Sequence, residues 1–100
     1  MSRYALSVEA GRDLETIWEQ MAREDRDAAD HWMASVFDCF DLLSRSPGIG
    51  QPRRDLTAQP LLFWPVGDSL ILYRSSDGKV EFIAVCGGPL DIPTLLAHGT

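Results

Sequence analysis

Apolar residues recur at helical spacing in two stretches of the first half of the chain. The first stretch contains Ala10, Leu14, Ile17, Trp18 and Met21, and the second contains Ala29, Trp32, Met33, Val36, Phe37, Phe40 and Leu43. This spacing gives a helix one apolar face, so the pattern predicts two amphipathic helices, the first over roughly residues 8–23. Because only a few polar residues separate the two stretches, the helices should form an antiparallel hairpin.

Polar residues mark the ends of both predicted helices. Ser7 can cap the first helix, and Asp25 can cap the second, because their side chains accept hydrogen bonds from free backbone N–H groups. Glu9 lies in the first turn, where a negative charge is favourable. The segment 46–48, Ser-Pro-Gly, predicts the end of the second helix.

The second half of the chain predicts three short strands. Leu61–Pro65, Ser69–Arg74 and Lys79–Cys86 are apolar or alternating runs, and residues 66–68 and 76–78 separate them. The Asp-Gly pair in the second separating segment is a strong signal for a tight hairpin. Short connections between consecutive strands predict an antiparallel meander.

Two further elements complete the predicted order. Residues 3–8 alternate and predict a strand that can join an edge of the sheet, and Asp91 can cap a short final helix. The order is then β-α-α-β-β-β with a short C-terminal helix. The sequence therefore predicts one α+β domain over residues 1–100, in which an N-terminal helical hairpin packs on a small antiparallel sheet in two layers.

Charge and composition exclude several classes of protein. The chain has 100 residues and a net charge of −6, with 45% hydrophobic residues. An acidic protein is a poor binder of nucleic acid, because that binding depends on basic groups that displace phosphate counterions. The apolar runs are too short to cross a membrane, and no signal peptide is visible. We therefore expect a cytoplasmic protein without direct nucleic-acid or membrane contact.

The residues that carry chemistry are few and scattered. Cys39 and Cys86 lie in separate apolar stretches, and neither they nor His31 and His98 show the spacing of a zinc site. No phosphate-binding or dinucleotide-binding motif is present. We predict no catalytic residues, no metal and no cofactor.

Cationic and aromatic residues near the sheet are the candidate partner-binding residues. They are Arg53, Arg54, Trp64, Tyr73 and Arg74. Arginine and tryptophan dominate the energetics of protein interfaces, and the two loop arginines lie in a segment rich in proline and glycine. Two alternatives remain open for them. They are free guanidinium groups that bind a partner's carboxylates or a phosphate, or they are loop charges that are solvated or of which one is tied to Asp55.

Taken together, these segments resemble the RelE/ParE superfamily of bacterial toxins, in particular its ParE branch. The resemblance rests on Tyr4–Ser7, Ala10, Asp13-Leu14, Ile17-Trp18, Ala28-Ala29, Leu42-Leu43, Pro47–Gly50, Arg54–Leu56, Leu70–Arg74, Val80–Ile83, Val85, Asp91-Ile92 and Leu95-Leu96. These matches follow the family order over nearly the whole chain. The family fold is a helical hairpin on an antiparallel sheet.

The resemblance also implies a function and two partners. ParE-like toxins bind DNA gyrase and block replication, and a cognate ParD-like antitoxin neutralises them by wrapping along the sheet and the helices. The RelE-like relatives instead cleave mRNA on the ribosome. The resemblance thus implies a type II toxin that acts by binding rather than by catalysis.

The chain departs from the family at three positions near the last strand. Where the family usually has arginine, histidine and arginine, this sequence has Ala84, Gly87 and Leu90. RNA cleavage needs acid–base and charged groups, so these replacements disfavour a ribonuclease. Three hypotheses remain: a gyrase-inhibiting toxin, a toxin-fold protein with weakened or retargeted toxicity that still binds an antitoxin, and a ribosome-dependent mRNA endonuclease.

Overall fold

A computed structural model describes residues 4–55 and 58–87 and shows a two-layer α+β arrangement. The elements, in chain order, are β1 (Tyr4–Leu6), α1 (Val8–Glu24), α2 (Arg26–Arg45), a 3₁₀ turn (Pro47–Ile49), β2 (Gln51–Pro52), β3 (Leu62–Val66), β4 (Ser69–Ser76) and β5 (Lys79–Cys86). The predicted helical hairpin and the three-strand meander are confirmed. The predicted C-terminal helix, which begins after Asp91, lies outside the described residues.

The strands form one sheet in the order β1-β5-β4-β3-β2. Strands β2 to β5 pair antiparallel, but β1 runs parallel to β5 with Tyr4 opposite Val80. The sheet is therefore mixed: the predicted meander is antiparallel, and β1, whose direction the sequence did not specify, joins it in parallel. The reason is that no hairpin joins β1 to β5, so the intervening chain, including both helices, leaves either direction open. The two-residue strand β2 was not predicted.

Side-chain caps hold the helical hairpin in the predicted places. The Ser7 hydroxyl accepts a hydrogen bond from the Ala10 N–H at 3.0 Å, and the Asp25 carboxylate accepts one from the Ala28 N–H at 3.1 Å. The two helices are also joined directly, because the Trp18 indole N–H donates to Asp30 Oδ1 at 2.9 Å. These contacts explain why a single residue, Asp25, suffices to reverse the chain between the helices.

Most of the core lies between the helices and the sheet. Its buried members are Leu14, Trp32, Val36, Phe40, Leu43, Val66, Ile71, Tyr73, Val80, Phe82 and Val85. The rings of Phe40 and Phe82 stack with centroids 4.1 Å apart, which joins α2 directly to β5. A smaller cluster, which we call the outer-face cluster, contains Leu61, Phe63, Leu72, Ala84 and Cys86 on the other face of the sheet.

An irregularity in β5 is satisfied by the N-terminal part of α1. Leu72 pairs with Ala84 but Tyr73 pairs with Phe82, so Ile83 is an extra residue in the ladder. The Ile83 carbonyl accepts a hydrogen bond from the Ser7 hydroxyl at 2.7 Å. The next free amide, that of Val85, donates to Asp13 Oδ2 at 3.0 Å. The side chains of Ser7 and Asp13 thus satisfy backbone groups of β5 that lie beyond the end of β1 and have no strand partner on that side.

The Asp13 contact makes a prediction about stability and pH. Burial raises the pKa of Asp13 above its ordinary value, the hydrogen bond from Val85 lowers it, and nearby Glu9 raises it. Because the pKa of Asp13 is higher in the folded state than in the unfolded state, protonation of Asp13 stabilises the folded protein. This stabilisation is fully present below the unfolded-state pKa of 3.8 and is lost as pH rises through the folded-state pKa. Asp13→Asn removes this titration and keeps an oxygen for Val85.

We therefore expect Asp13→Asn to be at least as stable as the wild type at pH 7, with a difference that shrinks as pH falls towards 3.8. Asp13→Ala should instead cost about 1–3 kcal/mol at pH 7, because the Val85 N–H loses its partner. Urea unfolding of all three proteins between pH 3.5 and pH 7 measures both effects. A pH-independent difference between Asp13→Asn and the wild type contradicts this account.

Candidate partner-binding surface

The five predicted partner-binding residues do not lie together. Trp64 and Tyr73 pack on the face of the sheet that the helices cover. Arg74 follows Tyr73 on the strand and therefore points to the opposite face. Arg53 and Arg54 lie in the loop after β2. The structure thus separates two aromatic side chains that pack against the core from three exposed cations.

Tyr73 is completely buried, so its side chain is not available to contact a partner directly. Its hydroxyl donates to the Pro47 carbonyl at 2.8 Å and accepts from the Gly50 N–H at 2.9 Å. Burial raises the pKa of Tyr73 above its ordinary value, and the hydrogen bond from Gly50 opposes this effect. Tyr73 is therefore an uncharged residue whose hydroxyl fixes the turn that leads into the arginine loop, because the hydroxyl both donates and accepts a hydrogen bond there.

The contact with Tyr73 requires glycine at position 50. A Cβ on Gly50 would lie 2.6 Å from the Tyr73 Cζ atom and still closer to the hydroxyl oxygen, which is nearer than real Cβ contacts come. Gly48 in the same turn has open space around its Cα. In the segment Pro47–Gly50, only Gly50 therefore has to be glycine for its backbone to approach the Tyr73 side chain closely.

The two loop arginines have different environments. Arg53 forms a two-pronged ion pair with Asp55, through Nε to Oδ1 at 3.0 Å and Nη2 to Oδ2 at 2.9 Å. The hydrogen bond from Arg53 is the main reason why the pKa of Asp55 lies below its ordinary value. Arg54 is exposed and forms no ion pair with any described residue. Of the two alternatives open from the sequence, Arg53 is the tied charge and Arg54 is the available one.

Trp64 is half-buried, although an interface anchor is expected to be exposed, and its role in binding a partner stays a prediction. It lies on the helix-facing side of β3, where alternate residues pack against the core. Burial raises the pKa of the Cys39 thiol, and the interaction of the thiol with the Trp64 side chain opposes this effect only in part. The net effect is a thiol that stays protonated at neutral pH.

Arg74 lies on the outer face of the sheet and pairs with Glu81 on the neighbouring strand, with Nη2 to Oε1 at 2.6 Å. Both side chains remain about half exposed, at 53% and 44%. They line an open groove together with Ala5 of β1 and Lys79. An exposed ion pair of this kind adds little stability, but it leaves a polar surface beside β1.

Comparisons with known proteins agree with this arrangement of helices and strands. The sequence model of the family described as the ParE toxin of type II toxin-antitoxin systems, parDE, matches residues 4–88. The chain belongs to the ParE toxin family. No curated protein matches it.

The ParE fold of the chain is also similar to a solved structure. A chain from the chromosomal ParDE toxin–antitoxin system of P. aeruginosa superposes with a TM-score of 0.70 at 12% identity, over 86% of this chain and 95% of that chain. The region matched by the family's sequence model, residues 4–88, covers the hairpin and all five strands of the described part. Family membership therefore rests on the sequence model, and the solved structure supports the fold.

Two of the three positions where this ParE toxin departs from the family pattern lie at the end of β5 or directly after it. Ala84 is buried in the outer-face cluster, and Gly87 is exposed but has no side chain. Leu90 lies outside the described residues. Residues 84 and 87 therefore place no acidic or basic side chain at this end of the sheet.

The described residues of this ParE toxin contain no group of three or more histidine, cysteine or acidic side chains that could hold a metal ion. Cys39 and Cys86 are not joined by a disulfide. Neither α1 nor α2, the two α-helices of the described part, has the length and apolar content needed to cross a membrane.

Three residues that hold β5 or the turn before the arginine loop in place were not recognised in these roles from the sequence. Ser7 was identified only as a cap, yet its hydroxyl also binds the Ile83 carbonyl, and Asp13 binds the Val85 amide. Gly50 was identified only as a loop residue. A polar residue on the sheet-facing side of a helix, such as Asp13, is a signal that could have been used, because a buried carboxylate needs a hydrogen-bond donor.

Proposed function

We propose that the chain is a toxin that inhibits DNA gyrase by binding it, in the cytoplasm, and that a ParD-like antitoxin neutralises the toxin. The observation that carries the proposal is the match of the ParE toxin family over residues 4–88. The similar chain from P. aeruginosa comes from a ParDE system, which supports an antitoxin partner. Inhibition by binding needs a complementary surface rather than a catalytic centre.

The end of β5 supports binding over RNA cleavage. Ala84 is 1% exposed and apolar, and Gly87 has no side chain. Neither can donate or accept a proton, or stabilise charge in a transition state. The proposed activity therefore depends on exposed side chains elsewhere, and Arg54 is the exposed loop cation that forms no ion pair with a described residue.

Controlled expression in a bacterium tests the proposal. The gene is induced with and without the small gene beside it, and growth and plasmid supercoiling are followed together. We expect growth arrest with relaxed or cleaved plasmid, and recovery when the neighbouring gene is expressed. A copy of that neighbour with an early stop codon is the control and should give no recovery.

Two outcomes would contradict the gyrase target. Arrest with normal plasmid topology and cleaved mRNA would support the ribosome-dependent endonuclease instead. Normal growth with soluble, folded protein would support a toxin fold that binds its antitoxin but has weakened or retargeted toxicity.

A further inference from the structure

Tyr73 carries a hydroxyl in a part of the core where the ring alone would fill the same space. The residue is completely buried, and its ring lies 5.9 Å from that of Phe82 in the helix-facing core. A buried hydroxyl lowers stability unless hydrogen bonds compensate for its loss of water. For Tyr73 this compensation comes from the backbone of the turn over residues 47–50. The hydroxyl therefore serves the turn rather than the packing of the core.

The turn is in turn adapted to the hydroxyl at Gly50. The φ of Gly50 is −67°, which every residue adopts, so its backbone conformation does not require glycine. A Cβ at this position would nevertheless overlap the Tyr73 side chain. Glycine loses more conformational freedom on folding than any other residue. Two unfavourable features, a buried hydroxyl and a glycine, thus serve one contact between the sheet and the turn.

Tyr73 also lies in one row across the sheet with the base of the arginine loop. It pairs with Leu62 of β3, and Leu62 pairs with Pro52 of β2. The two loop arginines follow Pro52 directly. Because β2 has only two residues, its ladder with β3 holds this segment weakly. The hydrogen bonds of the Tyr73 hydroxyl, which end at the residue before β2, therefore add a second fixed point ahead of the arginines.

The ion pair in the loop itself does not replace this fixed point. Arg53 and Asp55 keep 44% and 62% of their side chains exposed, and exposed pairs add little stability. Arg54 lies between them and forms no ion pair with a described residue. The position of Arg54 thus depends mainly on how the backbone before it is held.

We propose that Tyr73 is a positioning residue whose buried hydroxyl holds the turn over residues 47–50, so that Arg54 is in place before it meets a carboxylate of the partner. This inference rests on the proposed function, which supplies the antitoxin as that partner. A loop that is already fixed loses less freedom on binding, so the hydroxyl raises affinity without contacting the partner.

Tyr73→Phe tests the proposal, because it keeps the ring and removes the hydroxyl. The variant is titrated by calorimetry with the antitoxin encoded beside the gene, at a temperature where all proteins are folded. One hydrogen bond changes an equilibrium by about fivefold, and we expect Tyr73→Phe to bind the antitoxin about fivefold more weakly than the wild type. Unchanged affinity would overturn the positioning role.

Ser69→Ala is the matched control on the same strand. The Ser69 hydroxyl accepts a hydrogen bond from the buried Trp32 indole N–H at 3.2 Å. Its removal therefore also breaks one buried hydrogen bond, but between α2 and β4 and not at the turn. We expect its antitoxin affinity to stay within about twofold of the wild type, since additivity errors at independent sites are of this size. An equal loss in both variants would indicate a general effect of lower stability and would contradict the proposal.

A double-mutant cycle distinguishes positioning from a merely structural role. Tyr73→Phe is combined with Arg54→Ala, which leaves no guanidinium to be positioned. We expect loss of the hydroxyl to change the affinity by less than about twofold in the Arg54→Ala background. The same fivefold loss in both backgrounds would show that Tyr73 does not act through Arg54.

Amide exchange of the unmodified chain gives an answer even if Tyr73→Phe does not fold. We expect the Gly50 amide of the free chain to exchange roughly tenfold or more slower than in an unstructured peptide of residues 45–54. Its rate should change little when the antitoxin binds, because the turn is held beforehand. Fast exchange in the free chain that slows only in the complex would overturn positioning.

The outcomes also separate this proposal from the proposed function. A wild-type complex that Tyr73→Phe matches in affinity removes the positioning role and leaves the antitoxin partner in place. If the unmodified chain binds no antitoxin, the proposed function itself fails, and the positioning of Arg54 for that partner fails with it.

Discussion

Gly50→Ala should lower the free energy of unfolding by about 2–4 kcal/mol. The added methyl group would overlap the Tyr73 ring and hydroxyl, and overpacking of this kind typically costs about 1–3 kcal/mol. Moving the tyrosine away would also break its hydrogen bonds to Pro47 and Gly50, at about 1 kcal/mol each. For a domain of this size the thermal midpoint falls by about 4–8 °C per kcal/mol, so calorimetry detects the change easily.

Gly48→Ala is the matched control for this effect. Gly48 lies two residues earlier in the same turn, has open space around it and does not have a positive φ. We expect a change within about 1 kcal/mol, in either direction. The cost of Gly50→Ala should also shrink in a Tyr73→Phe background, since the closest overlap is with the hydroxyl. Equal stabilities of the two glycine variants would show that Tyr73 does not hold this turn.

Arg54→Ala should weaken antitoxin binding about 30-fold, whereas Arg53→Ala should change it much less. Exposed arginines that gain a partner are frequent interface anchors, and the loss of one often costs about 2 kcal/mol of binding free energy. A loss of about 2 kcal/mol corresponds to an affinity about 30-fold lower. The Arg53 guanidinium is already bound to Asp55 through two hydrogen bonds. It therefore has less capacity left for a partner's carboxylate.

Titration calorimetry of the two variants with the antitoxin measures this difference. Arg54→Lys keeps the charge but loses the planar fork, so its affinity should fall between those of the wild type and Arg54→Ala. The thermal midpoints of all variants should match the wild type, because both side chains are exposed. If Arg53→Ala costs as much as Arg54→Ala, or if neither matters, the assignment of Arg54 as the anchor is wrong.

The helices and the meander could be predicted because their signals are local. The apolar stripe over Ala10–Met21 and the cap at Ser7 placed α1 to within one residue of its observed end at Glu24. The Asp77-Gly78 turn was also predicted correctly, and both residues have the positive φ that such a turn needs. Local sequence was sufficient in these places because neighbouring residues alone decide the structure.

Features that depend on distant residues could not be predicted in the same way. The direction of β1 depends on its pairing with β5, some 76 residues later, as the Ser7–Ile83 hydrogen bond shows. Alternation along a strand puts Tyr73 and Arg74 on opposite faces of the sheet, but it does not show that Tyr73 is completely buried. The Arg53–Asp55 pair was one of two open alternatives, and only coordinates could decide between them.

The most direct test of the proposed toxin activity uses purified components. Relaxed plasmid, ATP and bacterial gyrase are incubated with increasing amounts of the protein, with and without the antitoxin, and supercoiling is followed on gels. A parallel reaction with ribosomes and mRNA reports RNA cleavage. We predict that supercoiling is inhibited, that the antitoxin restores it and that the mRNA stays intact. Full supercoiling at excess protein, together with cleaved mRNA, would contradict the proposed function.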